Sequence, residues 1–430
     1  MHESTLKIAV IGAGPVGLAL ALQAAQSLPD AQVTLFDARD ADTDVSGDAR
    51  TLALSLGSVQ LLERLGAWVA AAAQPILEVH VSQQPPSALS FLPGPLADLI
   101  GEPELRIRAV DEAVPMLGAV LNYGTLVTTL QGVWRATVAA QPQRLQSRFG
   151  CPVTALKNLP GDAGVEVDAG IVETFDLAVV AEVGVFGGAF SSATNRAGTA
   201  AVDLRQRAPI SRDYQQTAWV GRVTFASMTT PGSALPGAPP RAPGVAFERF
   251  TRHGPVALLP LRDGGAALVW CVPSDDDCVA ELNDAQRVTV LNTLFHESVG
   301  RIDSITPLKH FALGLNAERT LTEGRSVRIG NAAQTLHPVA GQGLNLGLRD
   351  AFELVHALAR NPDIDAVLRR LEWQRGPDRW AMIAATDFLA RSFTWKLPGG
   401  GAARGLGLAA LQALGPLKSA LARQMMFGRR

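Results

Sequence analysis

Leu6-Lys7-Ile8-Ala9-Val10-Ile11 is an apolar run of strand length rich in β-branched residues, the pattern of a parallel strand buried on both faces. Residues 16–28 read as a helix, and a second strand over 32–36 ends at Asp37. A further helix is predicted over 58–73 and a strand over 76–81, after which Pro85, Pro86, Pro93 and Pro95 mark a loop-rich excursion. Residues 111–140 read as helical, interrupted near Asn122-Tyr123-Gly124. Residues 153–180 alternate in strand fashion and end in the apolar run Leu177-Ala178-Val179-Val180-Ala181.

The rhythm then changes. Four strands are predicted over 218–226, 244–250, 256–261 and 266–272, with Asp263-Gly264-Gly265 as a hairpin turn between the last two. They imply a mostly antiparallel sheet inserted into the first domain, and the Pro/Gly/Ala-rich segment 229–243 reads as its rim. Residues 281–299 read as a helix and 326–329 as a strand, and helices fill most of the rest. The expected fold class is α/β: a Rossmann-like nucleotide-binding domain, an inserted antiparallel β-sheet domain and a helical C-terminus. The boundaries expected are 1–74, 101–184 and 279–390 for the nucleotide-binding domain, 75–100 and 185–278 for the sheet domain, and 391–430 for a tail.

Two glycine-rich signatures stand about 320 residues apart. The first is Gly12-Ala13-Gly14-Pro15-Val16-Gly17 between the first strand and helix. Gly12 permits a tight turn, Gly14 lets backbone approach a pyrophosphate, and Gly17 lets the helix pack close to the strand. The helix start offers free N–H groups to the phosphates. Asp37, 20 residues after Gly17, is placed to accept hydrogen bonds from a ribose diol. The second signature runs from Gly330-Asn331 through His337-Pro338 to Gly341-Gln342-Gly343 and Asn345. Together they suggest one extended dinucleotide held at both ends. Gly405-Leu406-Gly407-Leu408-Ala409-Ala410 repeats the spacing without a preceding strand and is read as a decoy.

Composition narrows the classes. A chain of 430 residues with 47% hydrophobic and 18% charged residues has room for two domains and is not disordered. The net charge of −2 gives no field for nucleic acid. Cys151, Cys271 and Cys278 are too few and too scattered for a disulfide framework, which fits a reducing cytoplasm, and the seven histidines lack metal-ligand spacing. Residues 8–29 carry no charge and mimic a membrane span, but the glycine fingerprint within them and Glu3 before them argue otherwise. From 391 to 430 there are seven basic residues and no acid. This tail reads either as an amphipathic membrane contact or as a helix packed on the nucleotide domain.

The second signature resembles the flavin-binding stretch of the aromatic hydroxylases related to p-hydroxybenzoate hydroxylase. Gly330-Asn331-Ala332-Ala333-Gln334 has the form seen in the ubiquinone-biosynthesis branch, where other relatives carry Gly-Asp-Ala-Ala-His. The resemblance runs over nearly the whole chain, through Asp48-Ala49-Arg50-Thr51-Leu52-Ala53-Leu54-Ser55, Arg212-Asp213-Tyr214-Gln215-Gln216-Thr217-Ala218 and Ala246-Phe247-Glu248-Arg249-Phe250. It implies FAD as resident cofactor, NAD(P)H as transient donor, and hydroxylation of a polyprenylated phenol with dioxygen through a C4a-hydroperoxyflavin. With the membrane-resident substrate it implies, the basic tail fits a cytoplasmic protein with a peripheral contact at the inner face of the membrane, and a quinone-biosynthesis complex is the partner of the structural-partner reading below.

The resemblance assigns roles residue by residue. Pro338 would lie against the flavin ring, and the N–H groups of Gly341, Gln342 and Gly343 would face its pyrimidine carbonyl. Asn331 either bonds the ribitol or serves as a turn residue. His337 is either catalytic or structural. Asn345 either holds the loop or touches the flavin. Arg50 either reaches cofactor and donor or pairs with Asp48. Arg349-Asp350 could equally be a solvated helix pair. Glu182-Val183-Gly184 departs from the Asp-Gly normally found there, which leaves Glu182 to substitute for the family Asp. Phe247, Phe250, Leu258 and Pro260 are candidate pocket residues. Two rival readings remain: a hydroxylase of a small soluble aromatic, and a weakly catalytic flavoprotein acting as structural partner.

Overall fold

The computed structural model describes residues 5–84, 104–181, 208–226, 243–337, 341–394 and 400–428. Glu182, Val183, Gly184, Pro338, Trp395 and most of the 229–243 rim lie outside the described residues, as do the prolines from 85 to 95.

The first strand is Lys7–Ile11, followed by helix Pro15–Ser27 and strand Gln32–Asp37. These strands belong to a six-stranded sheet with the order 322–323, 326–328, 177–180, 7–11, 32–37, 145–149, parallel except at the 322–323 edge. Both faces of strand Lys7–Ile11 are covered, which explains its unbroken apolar run. Ile8 and Val10 join the core beneath helices Pro15–Ser27, Tyr123–Ala140 and Gln342–Leu358. Ala9 and Ile11 pack with Phe36, Val165, Val167 and Phe175 under a three-stranded meander. The uncharged stretch that mimics a membrane span is this buried strand and helix. Among the described residues no helix is long and apolar enough to cross a membrane.

The second sheet has nine strands, antiparallel save where Val245–Phe250 runs parallel to Glu78–Gln83. Its four predicted strands appear as Ile210–Phe225, Val245–Phe250, Pro255–Pro260 and Ala266–Pro273. One face packs Phe247, Leu258, Trp270 and Val272 against Val279 and Leu291 beside helix Asp284–Leu294. The other turns Ala246 and Phe250 toward Ile76, Ile107 and Met426. Strand Ile210–Phe225 shifts register after Asp213, with Gln215 at φ +53°, a bulge that re-aims the residues around it.

Several expectations shift. The segment expected as helix from 111 contains strand Gly118–Asn122, because its apolar Ala119 to Leu121 pair with Thr51–Ser55 in a separate three-stranded sheet. The helix expected over 58–73 is Leu56–Arg64, ended by Gly66 at φ +70°. The helix expected over 281–299 is Asp284–Leu294, started by an Asn283–Gln286 capping box. The strand expected over 76–81 splits at Leu77, and its parts Gln74–Ile76 and Glu78–Gln83 enter different sheets. Strands Ile302–Ile305 and Lys309–Ala317 join the nine-stranded sheet, so that sheet continues past the boundary expected at 278.

The tail is packed. Helix Gly415–Phe427 places Ala422 and Met426 in the cluster with Ile76, Ile107 and Ala246. Arg349 and Asp350 are no solvated pair either. Asp350 is fully buried against Arg375, whose Nε donates to its Oδ1 at 2.7 Å, and Arg349 pairs with Asp378 at 3.0 Å.

Candidate active site

The carboxyl ends of four parallel strands converge. Gly12 N–H donates to the Phe36 carbonyl at 2.8 Å, Ala181 N–H to Ile11 at 2.9 Å and Ile329 N–H to Val180 at 2.9 Å. The chain leaves 7–11 for 32–37 on one side while 177–180 lies on the other. Such a reversal makes the crevice where open α/β sheets bind ligands.

The three glycines differ in what they do. Gly12 takes φ +102°, a conformation glycine reaches without strain. A Cβ on Gly17 would collide with the Gly12 carbonyl oxygen and stand 3.4 Å from Ala181 Cβ, so Gly17 sets the close approach of helix to strand. A Cβ on Gly14 would meet nothing within 4 Å. Gly14 faces open space at the start of helix Pro15–Ser27, which has no side-chain cap. Its first N–H groups are left for an anion.

Asp37 is only 3% exposed. Its Oδ2 accepts Ala13 N–H at 2.5 Å and its Oδ1 accepts Arg39 N–H at 2.8 Å. The Arg39 guanidinium donates to Oδ1 at 2.9 Å and Oδ2 at 3.1 Å, and also to the Ala13 carbonyl at 3.0 Å. Arg39, which no sequence motif singles out, thus fixes the carboxylate against the glycine turn.

The second signature meets the first. Gly330 takes φ +58°, and a Cβ there would stand 3.1 Å from Val16 Cγ2. A Cβ on Gly347 would press on both Gly330 and Val16. Asn331 is exposed at this junction. Gly341, at φ +57°, opens helix Gln342–Leu358, again without a side-chain cap, and Gly343 faces open space. Asn345 is a clasp: its Oδ1 accepts Ser55 N–H and Ser58 Oγ–H, each at 2.8 Å, and its Nδ2 donates to the Ala53 and Gly341 carbonyls, each at 3.0 Å. It holds the Gly341 turn to strand Thr51–Ser55 and helix Leu56–Arg64. Two uncapped helix starts and open space over Gly14 and Gly343 fit a long dinucleotide such as FAD.

An apolar cavity of about 160 Å³ adjoins this second turn. Cavities of about this volume hold one benzene ring. Ala53 to Ser55, Gly341, Gln342 and Asn345 bound one side; Ala246, Glu248, Ala257, Leu259 and Val269 of the large sheet bound another; Met425 and Met426 of the tail close a third. The expected lining is corrected. Of Phe247, Phe250, Leu258 and Pro260, only Phe247 touches the cavity, because Leu258 points to the opposite face and a cavity needs small side chains such as Ala246 and Ala257 around it.

Glu248 was not foreseen as a site residue. Its Oε1 is buried with no hydrogen-bond partner, and burial pushes its carboxyl up to about 8. The signal was a lone acid inside the apolar strand Val245–Phe250.

His337 lies away from this lining. It is 1% exposed, shares a 2.9 Å hydrogen bond between Nε2 and Gln216 Oε1, and meets the Tyr214 ring edge-on. Burial lowers its pKa to about 4, so it is a neutral imidazole, reached by the bulge that aims Gln216 inward. A sign follows. The unfolded histidine protonates below about 6.5, the folded one only near 4, so stability present above pH 6.5 is lost as pH falls through that window. Between pH 7 and 4.5 this is worth on the order of 2 kcal/mol. Denaturant unfolding of His337→Asn should show correspondingly less acid loss than wild type, and equal loss would place His337 in solvent.

Arg50 is paired with Asp48, Nη2 to Oδ2 at 2.7 Å, with its side chain 65% exposed, and its guanidinium stands 4.1 Å from the Tyr123 ring centroid. Glu182 and Pro338 lie outside the described residues; Ala181, the last described residue before Glu182, is beside Gly17.

Comparison with known proteins agrees with this geometry. A family model described as an FAD binding domain matches residues 203–372. The chain is 27% identical to the ubiquinone hydroxylase UbiL of Rhodospirillum rubrum over 99% of this chain and 90% of that one. It is 28% identical to the 3-demethoxyubiquinol 3-hydroxylase of Escherichia coli over 97% of both. Klebsiella pneumoniae HpxO, solved with FAD and uric acid, shares the fold at a TM-score of 0.65 and 16% identity over 98% of this chain and 97% of that one. The chain thus carries an FAD binding domain and is similar along nearly its whole length to proteins named as ubiquinone and demethoxyubiquinol hydroxylases.

Proposed function

We propose that this flavoprotein is an FAD-dependent monooxygenase that hydroxylates the aromatic ring of a polyprenylated phenol in ubiquinone biosynthesis, with NAD(P)H as donor. The observation that carries the reading is a ring-sized apolar cavity set between an uncapped glycine turn and an antiparallel sheet. Bound FAD supplies the redox chemistry, drawing electrons from NAD(P)H and activating dioxygen.

The chain's own residues do the rest. Gly14 receives the pyrophosphate in the turn that Gly12 and Gly17 shape, Asp37 lies at the ribose, and Gly330 and Asn331 meet the ribitol. Gly341, Gln342 and Gly343 offer N–H groups and a helix dipole to the electron-rich end of the ring. Asn345 keeps that turn in place. Pro338, Glu182 and Arg50 retain the roles given by the resemblance. Met425 and Met426 shield the cavity from water, which would otherwise drain the oxidant as hydrogen peroxide. The division into nucleotide and substrate units is part of this reading, with the substrate sheet extended to residue 317. So is a peripheral membrane contact through the exposed Leu414 and Leu417 beside Lys418.

Purified protein should carry FAD and oxidise NAD(P)H several-fold faster with a short-chain prenyl phenol than without it, yielding a hydroxylated ring. Preference for an untailed aromatic would favour the small-molecule hydroxylase, and flavin that NAD(P)H does not reduce would favour a structural partner. Sedimentation with anionic liposomes tests the membrane contact.

A further inference from the structure

We propose that the Glu248 carboxylate takes the proton of the substrate's phenol hydroxyl as the ring is oxygenated. This rests on the monooxygenase reading above.

Position comes first. Glu248 sits in register with Ala257 on one neighbouring strand and Val81 on the other, on the sheet face that carries Ala246. It is the single ionisable side chain among the described residues lining the cavity. Its Oε1 has no partner, although buried polar atoms are nearly always satisfied. A ligand hydroxyl supplies the missing donor in an otherwise apolar wall.

Neighbouring charges do not displace it. Cys271, two strands away, is a buried thiol held protonated by burial and by Glu248 itself. His80 is paired with Glu104 and lies against Phe247, and the Arg249 guanidinium faces His296. The tail contributes Ala422, Met425 and Met426 to the lining, and helix Gln342–Leu358 contributes Gln342 and Asn345.

The chemistry requires such a group. A phenol ring becomes strongly nucleophilic when its O–H bond breaks and the electron pair stays on the ring oxygen, shared with the ortho and para carbons. The proton goes to a Glu248 oxygen; once the new C–O bond has formed, the oxygenated carbon loses its C–H proton to solvent, the ring becomes aromatic again, and the ring oxygen takes its proton back, so the carboxylate is regenerated. An ordinary glutamate would lie about six units below a phenol of about 10. Burial brings Glu248 to about 8, which narrows the gap to about two units and improves the base.

Glu248→Gln keeps the shape and removes the proton acceptor. A carboxyl raised in the folded state contributes stability below its unfolded value and loses it as pH rises to about 8, so the variant should melt no lower than wild type at that pH. Phenol itself is the binding probe, titrated into FAD-loaded protein without NAD(P)H. Wild type should bind it about tenfold more tightly at pH 9 than at pH 6, because a carboxylate accepts the stronger hydrogen bond, and Glu248→Gln should show no such limb. Product formation should fall about a hundredfold in the variant. A fluorinated phenol already ionised at the assay pH should restore most of it. A flat wild-type binding profile, or unaltered turnover in Glu248→Gln, overturns the proposal. Absence of turnover with any phenol in wild type would instead defeat the monooxygenase reading, while the binding limb still decides the role of Glu248.

Discussion

Gly14→Val should yield a folded protein that purifies without flavin. The backbone at Gly14 has φ −75°, which any residue adopts, and a Cβ there meets no protein atom within 4 Å. The fold therefore tolerates valine. The cofactor does not, because the added methyls occupy the space in front of the first N–H groups of helix Pro15–Ser27, where a pyrophosphate must sit. The affinity for FAD should drop at least ~100-fold, on the order of 2.7 kcal/mol. Apoprotein melting should match that of wild-type apoprotein, a necessary comparison because bound ligand stabilises by mass action. Gly17→Val is the contrast. Its side chain would drive into the Gly12 carbonyl and toward Ala181, so this variant should lose the fold itself. Stoichiometric FAD in folded Gly14→Val would mean that the first signature is a turn and nothing more.

Much of the cradle was legible because its constraints are local. The strand, Gly12, Gly14, Gly17, the helix and Asp37 follow one another within a stretch short enough for spacing alone to specify the geometry. The four central strands of the large sheet were legible for the same reason, as short apolar runs bounded by turn residues such as Asp263-Gly264-Gly265. What failed was long-range. Gly118–Asn122 looks helical until it is paired with Thr51–Ser55, and Lys309–Ala317 is a strand because Ile210–Phe225 lies beside it. The phase of alternation could not be read either: Leu258 suggests a ring-binding wall, yet it points away from the face where Ala246 and Ala257 bound the cavity. His337 follows the same logic. Its place in a glycine-rich signature suggested chemistry, but a bulge 121 residues earlier in the chain supplies Gln216 as its partner. Asn345 stands out in the sequence as a clasp or a ligand, and only the fold brings Ser55, Ser58 and Ala53 to it.

Asp378→Ala should cost about 3–5 kcal/mol of stability, because it strands buried guanidinium groups. The carboxylate is 1% exposed and accepts from Arg375 Nη1 at 2.6 Å, Arg349 Nη1 at 3.0 Å and Gln424 Nε2 at 2.5 Å. Arg375 also donates to the fully buried Asp350 at 2.7 Å. Burial alone would raise the Asp378 pKa; Arg375 and Arg349 outweigh it and hold the group below the ordinary carboxylate range. The depressed value fixes the sign. The stabilisation is present above the unfolded pKa, near 4, and is lost as pH falls through the folded one. Asp378→Asn should therefore differ most from wild type at neutral pH, and the gap should close below about pH 4. The effect reaches the site through Gln424, which ties helix Gly415–Phe427 to this cluster, while Met425 and Met426 on the same helix wall the cavity. Loosening that wall should admit water, so hydrogen peroxide should rise per NAD(P)H consumed while FAD, anchored at the far glycine turn, stays bound. Gln424→Ala removes the tie without stranding a buried charge, and should reproduce the peroxide leak with a much smaller loss of stability. Equal unfolding midpoints for Asp378→Ala and wild type at pH 7 would show that the cluster is not a clamp. Tight coupling in Gln424→Ala would show that the methionine wall stands without it.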